Sequence, residues 1–328
     1  MIVRFLRKIR PFLPIPDSLS VGFVFGSSAL AMTVLLLVWN AIPQSILPFS
    51  KSSLIGFSLI SVLRVFLCLL LPLVFFASRY HADDPILYGS HPGFGAIIHS
   101  ILLGLPVMLI FISLHNLLIR FLILRSVRIP PQAFYFTTRD GSGEALLLYV
   151  AVGVILPILA EELLFRGLMT GSLPGILSNR KGTVIVAFLF AVFMLNPIDF
   201  FSYFLLGLLL GYIRLALDNT LCCVLTRLSM IGSYFLFQPL LPNLDVAVVR
   251  TEADIDPTVM YISITALIMG TIILFPILSQ IRRISGYLRL EKMDEPPKTP
   301  GSLREHFGWS FLLGILFFTG LWVTLIGV

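Results

Sequence analysis

The chain has 328 residues, of which 57% are hydrophobic and 12% charged, with a formal net charge of +6 and a mean hydropathy of +0.98. Soluble domains carry about 25% charged residues, so this composition excludes a soluble globular protein and predicts an all-α polytopic membrane helix bundle. The positive balance does not point to nucleic acid, because the basic residues flank apolar runs, as membrane topology requires.

Residues 1–20 read as a basic amphipathic segment. Ile2, Val3, Phe5, Leu6 and Ile9 alternate with Arg4, Arg7, Lys8 and Arg10, and Pro11, Pro14 and Pro16 end the pattern. Such a segment lies in the membrane interface. A signal peptide is the alternative, but the following run, Val21 to Ile42, is too long for one and favours a retained first span.

Further apolar runs follow: Leu54 to Ser78 with Arg64 inside it, Phe94 to Ile119 with His99, Pro106 and His115, Leu146 to Leu168, the short Thr183 to Asn196, Phe200 to Leu217, Leu221 to Phe237, Val259 to Leu278, and Trp309 to Ile326. At about 20 residues per crossing these make nine candidate spans, or eight if the short fifth run is re-entrant. The expected organisation places N-terminal transmembrane helices in 21–140, a core in 141–240, and a C-terminal loop with the last two helices in 241–328.

Loop charge sets the orientation. The first segment carries four Lys or Arg, and the connector after the eighth span carries Arg282, Arg283, Arg289, Lys292, Lys298 and Arg304. Nine spans with a cytoplasmic N-terminus put both on the cytoplasmic side. The acidic loop with Asp245, Glu252, Asp254 and Asp256 then falls outside. Arg120, Arg125, Arg128 and Arg139 also fall outside, against the rule. Cys68, Cys222 and Cys223 lie in apolar runs and read as small buried hydrophobes, not as a disulfide or zinc framework.

The charged group within the fourth run stands out. Glu161, Glu162 and Arg166 interrupt an apolar stretch, and each charge at bilayer depth costs at least ~2.5–3.5 kcal/mol. Such a cluster marks a functional site by default; the alternative is a helix end whose charges snorkel to the interface.

The Glu161-Glu162-x-x-x-Arg166 pattern resembles the CPBP family of intramembrane proteases, the CAAX prenyl protease or bacteriocin-protection type. The resemblance runs from Leu146 to Phe235. Phe190 to Pro197 is similar to the family's second motif, with the Asn196-Pro197 that often follows it, and Phe204 to Tyr212 is similar to its next helix. Within that helix Gly207 and Gly211 form a small-xxx-small face for close helix packing. The resemblance implies a CPBP-like core over 141–240 and a glutamate-activated water assisted by two His and an Asn, with a divalent metal.

The sequence departs from that ligand set. The first His slot holds Met194, the second falls near Leu228 and the Asn slot near Gly232. None of the five histidines lies between Glu162 and Phe235. Met, Leu and Gly cannot hold Zn²⁺, so no metal ligands and no cofactor are assigned. His115 has the Phe-x-x-x-His spacing from Phe111, but about 15 residues of helix, roughly 20 Å, place it toward the opposite membrane face from Glu161. His99 is better placed in depth, with nothing else to single it out.

Arg227 sits beside the second vacant slot, and Arg166 shares a helix face with Glu162. Pairing of Arg227 with Glu161 or Glu162 would give two guanidiniums against two carboxylates; outward snorkelling of Arg227 is the alternative. Three functions follow. The first is a catalytically impaired pseudoprotease that binds a membrane or lipidated protein in the old cleft, as chaperone, scaffold or protective factor. The second is an active endopeptidase with Glu161 or Glu162 as general base and Asn196 polarising the carbonyl. The third is a transport component, for which no repeat symmetry speaks. The expected partners are the lipid bilayer and a membrane or prenylated protein or peptide, with no nucleic acid. The expected location is a bacterial inner membrane.

Overall fold

The computed structural model describes residues 21–51, 53–79, 84–125, 143–172, 179–196, 198–237, 257–285 and 308–327. The basic N-terminal segment and most of the loop charges used for orientation lie outside the described residues; Arg120 and Arg125 fall at the end of the third helix and Arg282 and Arg283 at the end of the eighth. Each of the nine apolar runs is a helix: α1 Val21–Ala41, α2 Leu54–Arg79, α3 Phe94–Leu124, α4 Leu146–Ser172, α5 Asn179–Phe193, α6 Phe200–Leu217, α7 Thr220–Phe237, α8 Pro257–Ser285 and α9 Trp309–Gly327. Among the described residues seven of these are long and apolar enough to cross a membrane. The other two are α5, with 15 residues, and α9, whose described apolar stretch is Phe311–Val323. The chain is an all-α polytopic membrane protein.

Helix α4 forms the centre of the bundle. Its Phe165 ring meets Phe190 and Phe193 of α5 at 5.4 and 5.5 Å, and Phe193 stacks on Phe318 of α9 at 5.8 Å. Aromatic pairs of this geometry add ~0.5–1.5 kcal/mol each beyond their burial, so these rings tie α4, α5 and α9 together. Helix α5 packs along α6, α3 packs against both α7 and α8, and α1 packs on α9. The α5–α6 contact depends on the two predicted glycines. A Cβ on Gly207 would stand 2.9 Å from the Cα of Ala187, and one on Gly211 would run into Cγ2 of Thr183. Helix axes can approach this closely only where no side chain intervenes.

Helices α2 and α4 are not regular. Arg64–Leu70 in α2 and Tyr149–Ile155 and Leu163–Met169 in α4 are π-helical. Pro72 and Pro157 follow the first two stretches closely. A proline has no N–H to donate and its ring crowds the carbonyl four residues back, and widening the preceding turns relieves both. Wide turns of this kind often mark functional sites. Here they flank Glu161 and Glu162 in α4 and open at Arg64 in α2.

A second irregular region lies at one end of α4 and α6. The turn Asp84–Leu87 and the residues after it lie against α4 so closely that a Cβ on Gly167 would be 2.7 Å from the Leu87 carbonyl oxygen. Gly89 and Asp218 both take positive φ, 78° and 48°, where the chain reverses.

A candidate arginine-lined cleft

Glu161 and Glu162 end the regular stretch Leu156–Glu162 of α4, between its two wide-turn segments, and are 2% and 0% exposed. Successive residues on a helix point about 100° apart, so the two carboxylates need partners from different sides. Glu161 finds them on two other helices. Its Oε1 accepts from Arg64 Nη2 of α2 at 2.6 Å, and its Oε2 accepts from Arg227 Nη1 of α7 at 2.8 Å. The same Arg227 nitrogen donates to Glu162 Oε1 at 2.9 Å. Arg166, one turn on, reaches Glu162 Oε1 at 3.3 Å. Arg227 therefore turns inward and bridges both acids, and the snorkelling alternative does not describe it.

Phe190 supplies the floor. The guanidinium of Arg166 lies 4.0 Å above its ring and that of Arg227 5.3 Å away. A guanidinium over an aromatic face is attracted by the ring quadrupole, by up to about 2 kcal/mol when desolvated. The cluster differs from the two-against-two count read from the sequence. Arg64 joins it, so three guanidiniums surround two carboxylates. Arg64 lies 97 residues from Glu161 in sequence, and its position inside an apolar run was the available signal. Behind these pairs Glu162 Oε2 and Arg166 Nη2 are buried and make no hydrogen bond to the described residues.

The cluster opens on one side to a half-open cavity of about 180 Å³. Glu161, Arg64, Arg227, Asn196, Tyr203 and Met194 are among its lining residues. Asn196 arrives there because α5 ends in Leu195, whose φ of 52° turns the chain sharply. A left-handed conformation costs a leucine ~1–2 kcal/mol, and strain of this kind gathers at functional positions. The Asn196 amide donates to Asp199 Oδ2 at 2.7 Å and accepts from the Asp199 backbone N–H, while Asp199 Oδ1 meets His115 Nδ1 at 2.6 Å. His115, expected toward the opposite face, thus reaches the cavity edge through Asp199 and Asn196. Asp199 was not singled out by the sequence.

The other sequence-selected positions fall into place around this cleft. Met194 lines the cavity, Leu228 packs beside Val154, Ile158 and Val224, and a Cβ on Gly232 would meet nothing within 4 Å. His99 bonds the Gly95 carbonyl of its own helix at 2.7 Å. Cys68, Cys222 and Cys223 are buried free thiols.

A divalent cation, which the family resemblance implies, does not fit this donor set. Both oxygens of Glu161 already accept charge-assisted bonds, and two guanidiniums stand where a metal would need neutral or anionic ligands. No group of three or more His, Cys, Asp or Glu suited to a metal occurs among the described residues. The arrangement can hold a buried charge network rigid and present N–H donors to the cavity. It is poorly suited to making hydroxide, since both oxygens of Glu161 are already engaged by guanidinium donors.

Residues 143–230 match the family described as type II CAAX prenyl endopeptidase, Rce1-like. The matched segment runs from the start of α4 to within α7 and contains Glu161, Glu162, Arg166, Phe190, Asn196, Tyr203 and Arg227. Over these residues the chain is similar to a CAAX-protease-like domain, set within an integral membrane bundle. No curated protein matches the chain, and no solved structure does.

Proposed function

We propose that this CAAX-protease-like membrane protein is a pseudoprotease, which holds a membrane or lipidated protein in the cleft beside Glu161 without cleaving it. The observation that carries the reading is the bridging of Glu161 by Arg64 and Arg227, at 2.6 and 2.8 Å. In hydrolysis by this chemistry the carboxylate must take a proton from water and a cation or donor must stabilise the oxyanion. Here each oxygen of the carboxylate is held by an arginine, and Met194 stands in the first His slot. What remains is a half-open recess in the bilayer, with polar groups on one side and Ile158 and Ile231 among its apolar wall residues. Such recesses suit ligands that are apolar over most of their surface with a few oriented polar groups. A bacterial inner membrane with a cytoplasmic N-terminus is the location we propose, the orientation from loop charge and the membrane from the bacterial abundance of the resembling family.

The cavity itself favours a second reading, because it has room for about six waters at ~30 Å³ each beside Glu161. That reading is an endopeptidase with Glu161 or Glu162 as base. One experiment separates the two. The purified full chain is incubated in detergent with farnesylated and transmembrane peptides, and both retention and cleavage are followed by mass spectrometry. The expected result is retention of intact peptide. Cleavage that Glu161→Ala abolishes would overturn the pseudoprotease reading in favour of the enzyme.

A further inference from the structure

We infer that the cavity beside Glu161 is a receptor for a carboxylate head carried on an apolar tail, with Arg227 and Tyr203 as its donors. The inference rests on the proposed binding function and specifies what the bound partner presents to the cleft.

The argument begins with the inventory of donors. A guanidinium carries five N–H groups on three nitrogens. Arg227 directs only Nη1 at the acids; Nε and Nη2 make no hydrogen bond to the described residues, although the side chain is 9% exposed and lines the cavity. Tyr203 likewise lines the cavity, and its hydroxyl makes no hydrogen bond to the described residues. Phe190 lies against both side chains, its ring 5.3 Å from the Arg227 guanidinium and 6.1 Å from the Tyr203 ring, so the two donors flank one aromatic ring. Unmade hydrogen bonds at a buried arginine are costly, and an acceptor entering the cavity supplies them.

Charge selects among acceptors. The cavity wall has the guanidiniums of Arg64 and Arg227 against the single carboxylate of Glu161. Asp199, the next acid, is engaged by His115 and Asn196. An anion is favoured over a neutral acceptor, and a cation is repelled. Planar carboxylates match the fork of a guanidinium. The remaining lining, with Val154, Ile158, Leu195 and Ile231, suits aliphatic carbon behind that head. Two sources carry this chemistry: the free C-terminus of a lipidated peptide, and a fatty acid.

The test uses the full chain in lipid nanodiscs. The probes are a fluorescent farnesylated peptide with a free C-terminal carboxylate, the same peptide as its C-terminal amide, and oleate as competitor. The free acid should bind about tenfold more tightly than the amide, the effect of one charge-assisted hydrogen bond. Tyr203→Phe should remove most of that preference without moving the thermal unfolding of the protein. This variant is chosen because Arg227 also holds the fold. Equal binding of acid and amide would overturn the carboxylate assignment and leave partner binding standing. Binding of oleate alone, weakened by Tyr203→Phe, would keep the carboxylate site, assign it to a fatty acid and contradict the protein-partner reading. Binding of none of the three would overturn the proposal.

Discussion

Two buried arginines on consecutive helices behave in opposite ways. Arg214 of α6 spends all three nitrogens on the fold. Its Nε donates to the Arg166 carbonyl at 3.1 Å, its Nη1 to Asp218 at 2.8 Å and its Nη2 to the Ile86 carbonyl at 3.2 Å. Around it, Asn219 donates to the Ser90 carbonyl and Thr220 to the Leu87 carbonyl, each at 2.6 Å. This end of the molecule is a clamp: donors and acceptors are matched within the chain, and the turn before α3 is fixed against α4 and α6. Arg227 of α7 uses one nitrogen for two carboxylates and presents the rest toward a cavity. Both side chains are nearly dry, so burial does not separate them. The difference is whether the fold completes the cation's hydrogen bonds, and the incomplete one borders the cavity beside Glu161.

The largest test of this contrast is Arg227→Gln. Removing one partner of a buried ion pair leaves the other charge uncompensated and costs about 3–5 kcal/mol. Arg227 serves two carboxylates, but Arg64 stays on Glu161 and Arg166 on Glu162, so the lower half of that range is expected. Denaturant unfolding in detergent micelles would report it, and a loss below ~1 kcal/mol would mean that the bridge contributes little.

Arg214→Gln comes next. It abandons the Arg166 and Ile86 carbonyls, while Asp218, whose side chain is 45% exposed, recovers its hydration. Lost hydrogen bonds to a charged group run at ~1.5–3 kcal/mol each, less what water restores. A net loss of about 2–3 kcal/mol is expected, with peptide retention unchanged once the protein folds. Loss of retention in a protein of unaltered fold would break the division between clamp and cleft.

Gly211→Ala should have the smallest effect on stability, about 1–3 kcal/mol, because the new methyl runs into Thr183 and overpacking is relieved by helix displacement. Rescue by Thr183→Ser, which removes the opposing methyl, would locate the strain at that contact. An Ala variant as stable as the parent would mean that α5 and α6 do not approach as closely as described.

The legible parts of this molecule are the local ones. Apolar runs near 20 residues located the nine helices α1 to α9 among the described residues, including the short α5, because length and hydropathy suffice for that. Glu161, Glu162 and Arg166 were visible because charge inside such a run is conspicuous, and Gly207 and Gly211 because their spacing is helical. Arg227 was placed by its neighbourhood to a vacant slot. Apart from the pairing of Arg227 with the two acids, contacts between distant segments could not be read. Arg64 meets Glu161 across 97 residues and His115 meets Asp199 across 84, and no local pattern encodes such distances. The left-handed Leu195 that brings Asn196 to the cavity is likewise a product of packing, since leucine has no preference for that conformation. The depth argument that set His115 apart from the cleft treated α3 and α4 as parallel rods and had no means to include the loop from Met194 to Asp199.

The account turns on Arg227 taking the position of a catalytic ligand and holding the acids. The most direct measurement is a double-mutant cycle by denaturant unfolding in detergent, with Glu162→Gln, Arg227→Gln and the pair together. Bonded partners couple by roughly 0.5–3 kcal/mol, whereas independent sites add. The double variant is expected to be more stable than the sum of the single losses predicts, by about 1–3 kcal/mol. Additive losses would contradict the bridge, and with it the reading of this cleft as a site for binding without cleavage.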